Sequence, residues 1–236
     1  IIYIYIYTMF NNINIYWINL NRAENRKERM IKQFNDFNLK HTRIEAIDGN
    51  DIQLEEIKKT YKVNEKLNKY EVACTLSHIK AIETAYNNKL EHVLILEDDC
   101  CFDYIKFQTL PIEEVIHKLL LINGECVQLA NISNVNFIKK VINNPDFLTP
   151  NVTAGAMAYL ITNKGMKKVL DKFYNNKKFE VSETTIFNNL NNYICKPYFT
   201  YYFYKQNKSF IRANNKSAHT CQTLSKIEWD KYYNIN

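Results

Sequence analysis

The chain has 236 residues, of which 46% are hydrophobic and 24% charged, ordinary for a globular protein and enough to build one catalytic domain with a sizeable core. Its formal charge of +6 is scattered, and the lack of a zinc finger, an RNA-recognition sequence or a concentrated basic stripe argues against a nucleic-acid partner. Cys74, Cys100, Cys101, Cys126, Cys195 and Cys221 form no CxxC pair and no zinc-ligand spacing, so they read as reduced, mostly buried thiols and not as a structural metal site.

The opening run Ile1 to Tyr7 alternates Ile and Tyr, lacks a basic n-region and a cleavage site, and is too short to cross a bilayer. Residues 1–12 read as an N-terminal extension, with Met9 a candidate start, and 13–236 as a single domain. Asn14 to Leu20 (NIYWINL) has the length and β-branched content of a buried strand, and Asn21-Arg22 is the turn after it. Met30, Ile31, Phe34 and Phe37 recur at helical spacing, so Ala23 to Phe37 is an amphipathic helix and the pair makes a βα unit. Thr42 to Ile47 alternates as a strand and stops at Asp48-Gly49, while Leu54 to Tyr61 and Glu71 to Asn87 carry helical periodicity. His92 to Leu96 (HVLIL) is a second buried strand. Glu125 to Ala130 and Ala154 to Thr162 are two more, the latter feeding a helix over Gly165 to Phe173. Lys164, Lys167, Lys168 and Lys172 read as that helix's solvated face. Tyr198 to Tyr204 alternates aromatics, as a strand packed on a core does more often than a sugar-stacking platform. The order predicts an α/β fold with a mainly parallel central sheet flanked by helices.

Glu97, Asp98 and Asp99 follow HVLIL directly, where open α/β sheets place their ligands. Two unit charges about 4 Å apart interact by roughly 4 kcal/mol at an effective dielectric near 20, so three adjacent carboxylates need solvent or a cation. Mg²⁺ or Mn²⁺ is the natural neutraliser, commonly held by one or two carboxylates plus substrate phosphates. The alternative is an acidic, solvated loop start, and the buried strand in front weighs against it. Arg22 and Arg26, four apart, could share a helix face and offer planar donors to phosphate or ribose oxygens. Asn19, a polar amide at an apolar strand end, needs partners, from a nucleobase or ribose or from the βα turn itself. A lone helical histidine such as His78 is usually a satisfied core residue.

INLNRAENRKERM (Ile18 to Met30), RIEAIDG (Arg43 to Gly49), EVACTLSHIKAIETA (Glu71 to Ala85), VLILEDDCCF (Val93 to Phe102) and TAGAMAYLITNKGMKKVL (Thr153 to Leu170) occur in this order. As an ordered set they resemble glycosyltransferase family 25, the lipooligosaccharide and procollagen-galactosyltransferase-like family. The resemblance implies a GT-A type nucleotide-diphospho-sugar transferase fold. It further implies a manganese-dependent transfer, inverting or retaining, of a hexose such as galactose or glucose from a UDP-sugar to a hydroxyl on a saccharide or on hydroxylysine of a protein acceptor. Carried over by motif, Asn19, Leu20, Arg22, Arg26, Asp48 and Gly49 would cradle the nucleotide. Ser77, His78 and Glu97 would meet the donor, with Glu71 a weaker candidate. Asp98 and Asp99 would hold the metal, with Asp98 at the reaction centre and His219 in KSAHTC supplying a further ligand. Glu183 in FEVSETTIF stands near where the family often carries an Asp; it would be the general base if transfer inverts, or a helix-capping acid after Ser182. The competing readings are a nucleotide-sugar hydrolase and an inactive nucleotide- or sugar-binding module on the same fold. With no transmembrane segment or signal seen, a bacterial or viral enzyme of the cytosol is expected, and an aromatic-rich surface could support a homodimer.

Overall fold

The structure is a computed structural model that describes residues 10, 13–108, 110–130, 136, 139, 141, 149–150, 155–201 and 226–234. Its centre is a seven-stranded sheet in the order β2-β1-β4-β8-β6-β10-β7. The strands are β1 (Ile15–Asn19), β2 (Thr42–Glu45), β4 (His92–Glu97), β6 (Cys126–Gln128), β7 (Thr149–Pro150), β8 (Ala158–Thr162) and β10 (Asn192–Ile194). β1 pairs in parallel with both β2 and β4, which is the βα unit that the sequence pattern predicts.

The sheet is buried on both faces because its strands carry apolar residues at successive positions, and the pleat sends neighbours to opposite sides. Trp17, Leu94, Leu96 and Val127 pack beneath helices α1 (Glu24–Asp36) and α4 (Ile112–Leu121). Tyr16, Ile18, Val93, Ile95 and Ile161 pack beneath α3 (Lys69–Asn87) and α5 (Asn163–Asn176). Val93 to Leu96 are fully buried, and each such side chain contributes roughly 1.5–3 kcal/mol of apolar burial. Helix α2 (Leu54–Thr60), the short α6 (Ser182–Phe187) and the two-residue pair β3 (Lys62–Val63) with β9 (Lys178–Phe179) add Ile57, Ile186, Phe187, Val63 and Phe179 to the core on the α3 side of the sheet. A second ribbon joins β5 (Cys100–Cys101) to β11 (Thr200–Tyr201), so of the expected Tyr198 to Tyr204 strand only Thr200–Tyr201 is strand among the described residues; Tyr198 and Phe199 precede it and pack in the core, and 202–204 lie outside the described residues. A final helix covers 226–232.

Three local expectations are corrected. The sheet is mixed: β8 runs antiparallel to both β4 and β6, and β7 antiparallel to β10. Five strands still point one way, but a run such as AYLIT is apolar whichever way it runs, so its direction is not encoded locally. Helix α3 begins at Lys69, earlier than its apolar period, because the Asn68 side chain accepts from the Tyr70 and Glu71 amides while Glu71 accepts from the Asn68 amide. That capping box is where Glu71 is engaged. The α5 lysines are not all solvated: Lys164 and Lys168 reach the buried Glu125 carboxylate at 3.1 and 2.8 Å. Cys74, Cys100, Cys101, Cys126 and Cys195 are free thiols, as expected, and Cys221 lies outside the described residues. Among the described residues no helix is long and apolar enough to cross a membrane.

Gly165 fixes how closely α5 approaches the sheet. A Cβ there would stand 2.6 Å from the Glu125 carbonyl oxygen and 2.9 Å from Ile161 Cγ1. Gly165→Ala should therefore cost about 1–3 kcal/mol by overpacking. Urea unfolding at unchanged m-value measures this; a stability within error of wild type would show that α5 can retreat freely.

Candidate active site

A cleft opens at the carboxyl ends of β1 and β4 and is closed on one side by α3. Open α/β sheets bind ligands at this edge. Its floor is the turn Glu97–Asp99, which projects because β4 ends at Glu97 and β5 begins at Cys100.

Helix α1 holds that turn. Arg26, Arg29 and Gln33, spaced three and four apart, share one stripe of the helix. Arg26 Nη1 donates to Asp98 Oδ1 at 2.7 Å. Arg29 donates to the backbone carbonyls of Asp98 and Cys100 at 2.5 and 2.8 Å, and Gln33 brackets Cys100 and Phe102 at 3.1 Å each. Burial works against the Arg26 charge, but Asp98, Asp99 and Glu97 outweigh it and raise its pKa above the usual value.

Asn19, at the end of β1, completes the clamp. Its Nδ2 donates to Asp98 Oδ2 at 2.7 Å and to the Ala23 carbonyl at 3.3 Å, and its Oδ1 accepts from Arg43 Nε at 2.9 Å. Of the two partners open to this amide, the structure supplies protein groups. Both Asp98 oxygens are thus bonded within the protein, and Asp98 is 8% exposed.

Asp99 is placed differently. Its Oδ1 is buried and meets no hydrogen-bond partner among the described residues. Burial first, then the Glu97 charge, pushes its carboxyl up to about 7, against the pull of Arg26. An unpaired buried carboxylate oxygen beside a second carboxylate is a donor set that fits a hard divalent cation, and Glu97 and Asp99 are the residues that would hold it. The sequence assigns the metal to Asp98 and Asp99; both line the cleft, Asp98 with each oxygen already accepting one bond, from Asn19 and from Arg26, and Asp99 with its Oδ1 unbonded among the described residues.

Helix α3 lines the opposite wall with Tyr70, Cys74, Ser77 and His78, one stripe at helical spacing. His78 Nε2 lies 3.1 Å from Glu97 Oε1 and its Nδ1 lies 3.1 Å from the Tyr159 hydroxyl, so the imidazole is fixed between them. Burial keeps the Tyr159 phenol far above its ordinary pKa. Ser77 is a strut, accepting from the Ile47 amide at 2.9 Å and donating to the Ala73 carbonyl at 2.7 Å. Burial and the nearby Glu97 charge push the Cys74 thiol well up, which makes it a poor nucleophile.

At the mouth, Arg22 pairs with Asp48 and is 38% exposed. The Arg22 hydrogen bond holds Asp48 below the usual carboxylate range. Arg22 precedes α1 while Arg26 lies within it, so the two share the cleft instead of a helix face. Gly49 lies against Tyr70, where a Cβ would fall 2.5 Å from the ring. Leu20 also lines the cleft, whereas Asp48 and Glu183 stand outside its lining. Glu183 sits in the first turn of α6, accepting from Ser182 Oγ at 3.0 Å, with Ser182 Oγ 3.9 Å from Cys74 Sγ. His219 falls outside the described residues. The sequence reading missed Tyr70, Cys74, Arg29, Arg43 and Tyr159. The stripe 70, 74, 77, 78 on one helix was the available signal for the first two.

The profile of glycosyltransferase family 25 (LPS biosynthesis protein) matches residues 12–186, which contain every residue of the cleft lining. The chain belongs to glycosyltransferase family 25. This family 25 chain is similar to procollagen galactosyltransferase 2 of Mus musculus, with 26% identity over 118 residues covering 45% of this chain and 19% of that one. With the Homo sapiens protein of the same name it shares 27% over 100 residues, covering 38% and 16%. It therefore spans less than a fifth of the length of either relative. Among solved structures, mouse xyloside xylosyltransferase 1 in its apo form aligns with a TM-score of 0.37 at 10% identity, covering 73% of this chain and 66% of that one.

The Asp99 carboxyl carries a testable electrostatic cost. A folded value near 7 against an ordinary 3.8 means that the penalty is absent below about pH 4, grows through the interval, and is full above about pH 7. In chelator-treated protein, Asp99→Asn should raise Tm clearly near pH 8 and far less near pH 5. An equal gain at both values would mean that Asp99 is not ionising under strain.

Proposed function

We propose that the cleft binds a nucleotide-diphosphate sugar together with a divalent cation and transfers its hexose to an acceptor hydroxyl. The observation that carries this reading is the Asp99 oxygen beside Glu97 that meets no hydrogen-bond partner among the described residues, on the floor of a cleft whose mouth carries Arg22. Mn²⁺, or Mg²⁺, would supply the charge that neutralises the diphosphate and the leaving group. On the side of the protein, Glu97 and Asp99 present oxygens, and His78 orients Glu97. Arg26 stays with Asp98 and keeps the turn rigid, which positions the oxygens before the donor arrives.

Arg22 suits the diphosphate. Its ion pair with Asp48 is partly exposed, and such pairs are worth only about 0–1 kcal/mol, so exchanging Asp48 for phosphate oxygens costs little. Tyr70, held over Gly49, offers a ring face to the nucleobase or the sugar. A UDP-hexose donor of the GT-A type is proposed. Galactose is the leading hexose, because the similar mammalian proteins are galactosyltransferases by name. The acceptor hydroxyl would belong to a glycan or to a hydroxylysine-containing protein, and Glu183, beside Ser182 at the Cys74 end of the cleft, is the candidate base if the transfer inverts.

Thermal unfolding with UDP, UDP-galactose, UDP-glucose, GDP and CMP, each with and without Mn²⁺, tests the donor. At about 100 times its Kd a ligand adds roughly 2.7 kcal/mol, a shift on the order of 5 to 10 °C for a chain of this size. Uridine nucleotides should give that shift only with Mn²⁺; no shift from any nucleotide would contradict the reading. Arg22→Ala should weaken UDP binding by about tenfold or more while changing stability by less than about 0.5 kcal/mol. Unchanged affinity by calorimetry would remove Arg22 from the diphosphate site.

A further inference from the structure

Cys74, His78 and Glu97 present Sγ, an imidazole nitrogen and a carboxylate oxygen that all lie within 4.8 Å of one another. Three constraints make the grouping more than proximity. Cys74 and His78 are four apart on α3, so one turn of helix stacks their side chains on the same face. Glu97 reaches them from the end of β4, with Oε1 already 3.1 Å from His78 Nε2. On the far side of the imidazole, Nδ1 faces the buried Tyr159 hydroxyl at 3.1 Å. Without an ion, Nε2–H donates to Glu97 and Nδ1 accepts from Tyr159; ligation at Nε2 takes the other tautomer, in which Nδ1–H donates to the Tyr159 oxygen, the outer-shell arrangement that metal-ligating histidines use.

The donor set differs from that of the cleft floor. Glu97 and Asp99 offer oxygens alone, whereas this group mixes thiolate, imidazole and carboxylate, which prefer Zn²⁺ over Mn²⁺ or Mg²⁺. We propose that Cys74, His78 and Glu97 form a three-ligand site for Zn²⁺ in the wall of the cleft, the fourth position left to water, and that its occupation shuts the cleft to the donor. As the Zn–S bond forms, the Cys74 thiol releases its proton to solvent; thiolate and carboxylate then balance the dication, so the occupied site is neutral. Neutrality matters at a position where an unpaired charge would be expensive. The site takes Glu97 from the oxygen pair below it and adds a ligated ion between α3 and the turn, so Zn²⁺ and a nucleotide donor exclude each other. Zn²⁺ binding itself stands on the three side chains alone; only the exclusion rests on the donor reading above.

Co²⁺ alone, added to the full chain, replaces Zn²⁺ with a visible probe. One equivalent should give a thiolate-to-cobalt charge-transfer absorption that Zn²⁺ abolishes and Cys74→Ser lacks. Zn²⁺ affinity from competition with a chromophoric chelator should fall in Cys74→Ser by at least about 10- to 100-fold, the loss already typical of removing an outer-shell partner. Cys195→Ser, which changes a buried thiol outside the cleft, should retain both signals and show that the fold tolerates thiol replacement. No charge-transfer band in wild-type protein, or Zn²⁺ affinity unchanged in Cys74→Ser, would overturn the site. UDP binding measured with and without one equivalent of Zn²⁺ separates the second claim: a lost band refutes the zinc site, whereas an intact band with UDP binding unaffected refutes only the exclusion.

Discussion

Everything in the cleft depends on how Asp98 is held. Its side chain is pinned by Asn19 from β1 and by Arg26 from α1, and its carbonyl by Arg29. A carboxylate with two charge-assisted or amide donors in a largely desolvated position cannot give up either without leaving an unpaired group, at about 1–3 kcal/mol or more. The turn is therefore rigid, and rigidity at Asp98 determines where its two neighbours point: Glu97 toward His78, Asp99 toward the interior of the cleft. The fold serves this clamp. Parallel pairing of β1 with β4 sets Ile18 opposite Glu97, so the ends of the two strands that supply Asn19 and Asp98 arrive side by side.

The same arrangement concentrates negative charge that the protein itself does not fully neutralise. Arg26 answers Asp98, yet Asp99 keeps a buried Oδ1 beside Glu97 and its carboxyl is driven upward. A purely structural turn would have no reason to keep such a residue, since an amide of the same shape would relieve the strain. Strain of this kind, held in place by a well-packed surround, is expected where function requires a group that the fold alone would discard. The stretch that matches the glycosyltransferase family contains the whole cleft, and the proposed donor site lies where this imbalance falls within it.

Much of this arrangement was legible in the sequence, and the failures have physical causes. HVLIL announced a buried strand, and the three carboxylates stand directly after it at the edge of the cleft; the βα unit followed from periodicity, whereas Arg22 and Arg26 do not share the helix face that their spacing suggested. The antiparallel sense of β8 was not legible, because an apolar five-residue strand looks alike in both directions. For Asn19 the sequence left a nucleotide or the βα turn as partner, and the amide does reach the Ala23 carbonyl of that turn; its bonds to Asp98 and Arg43, and the bond of Ser77 to the Ile47 amide, are long-range contacts that a linear pattern does not reveal. Lys164 and Lys168 fitted an exposed helix face for the same reason, with Glu125 some forty residues away supplying the counter-charge. Cys74 escaped notice because the cysteines were compared with one another, while its relevant neighbour was a histidine one helical turn along.

The central claim is a division of labour in the acidic turn, with Asp98 positioning and Asp99 binding. Electron paramagnetic resonance of Mn²⁺, titrated with the wild-type chain, Asp99→Asn and Asp98→Asn in the presence of UDP, tests it most directly by counting free and bound ion. The account predicts that the wild-type chain immobilises the ion, that Asp99→Asn leaves it free, and that Asp98→Asn, which keeps an oxygen for Arg26, retains weakened binding. Mn²⁺ bound by Asp99→Asn as tightly as by wild type would contradict it.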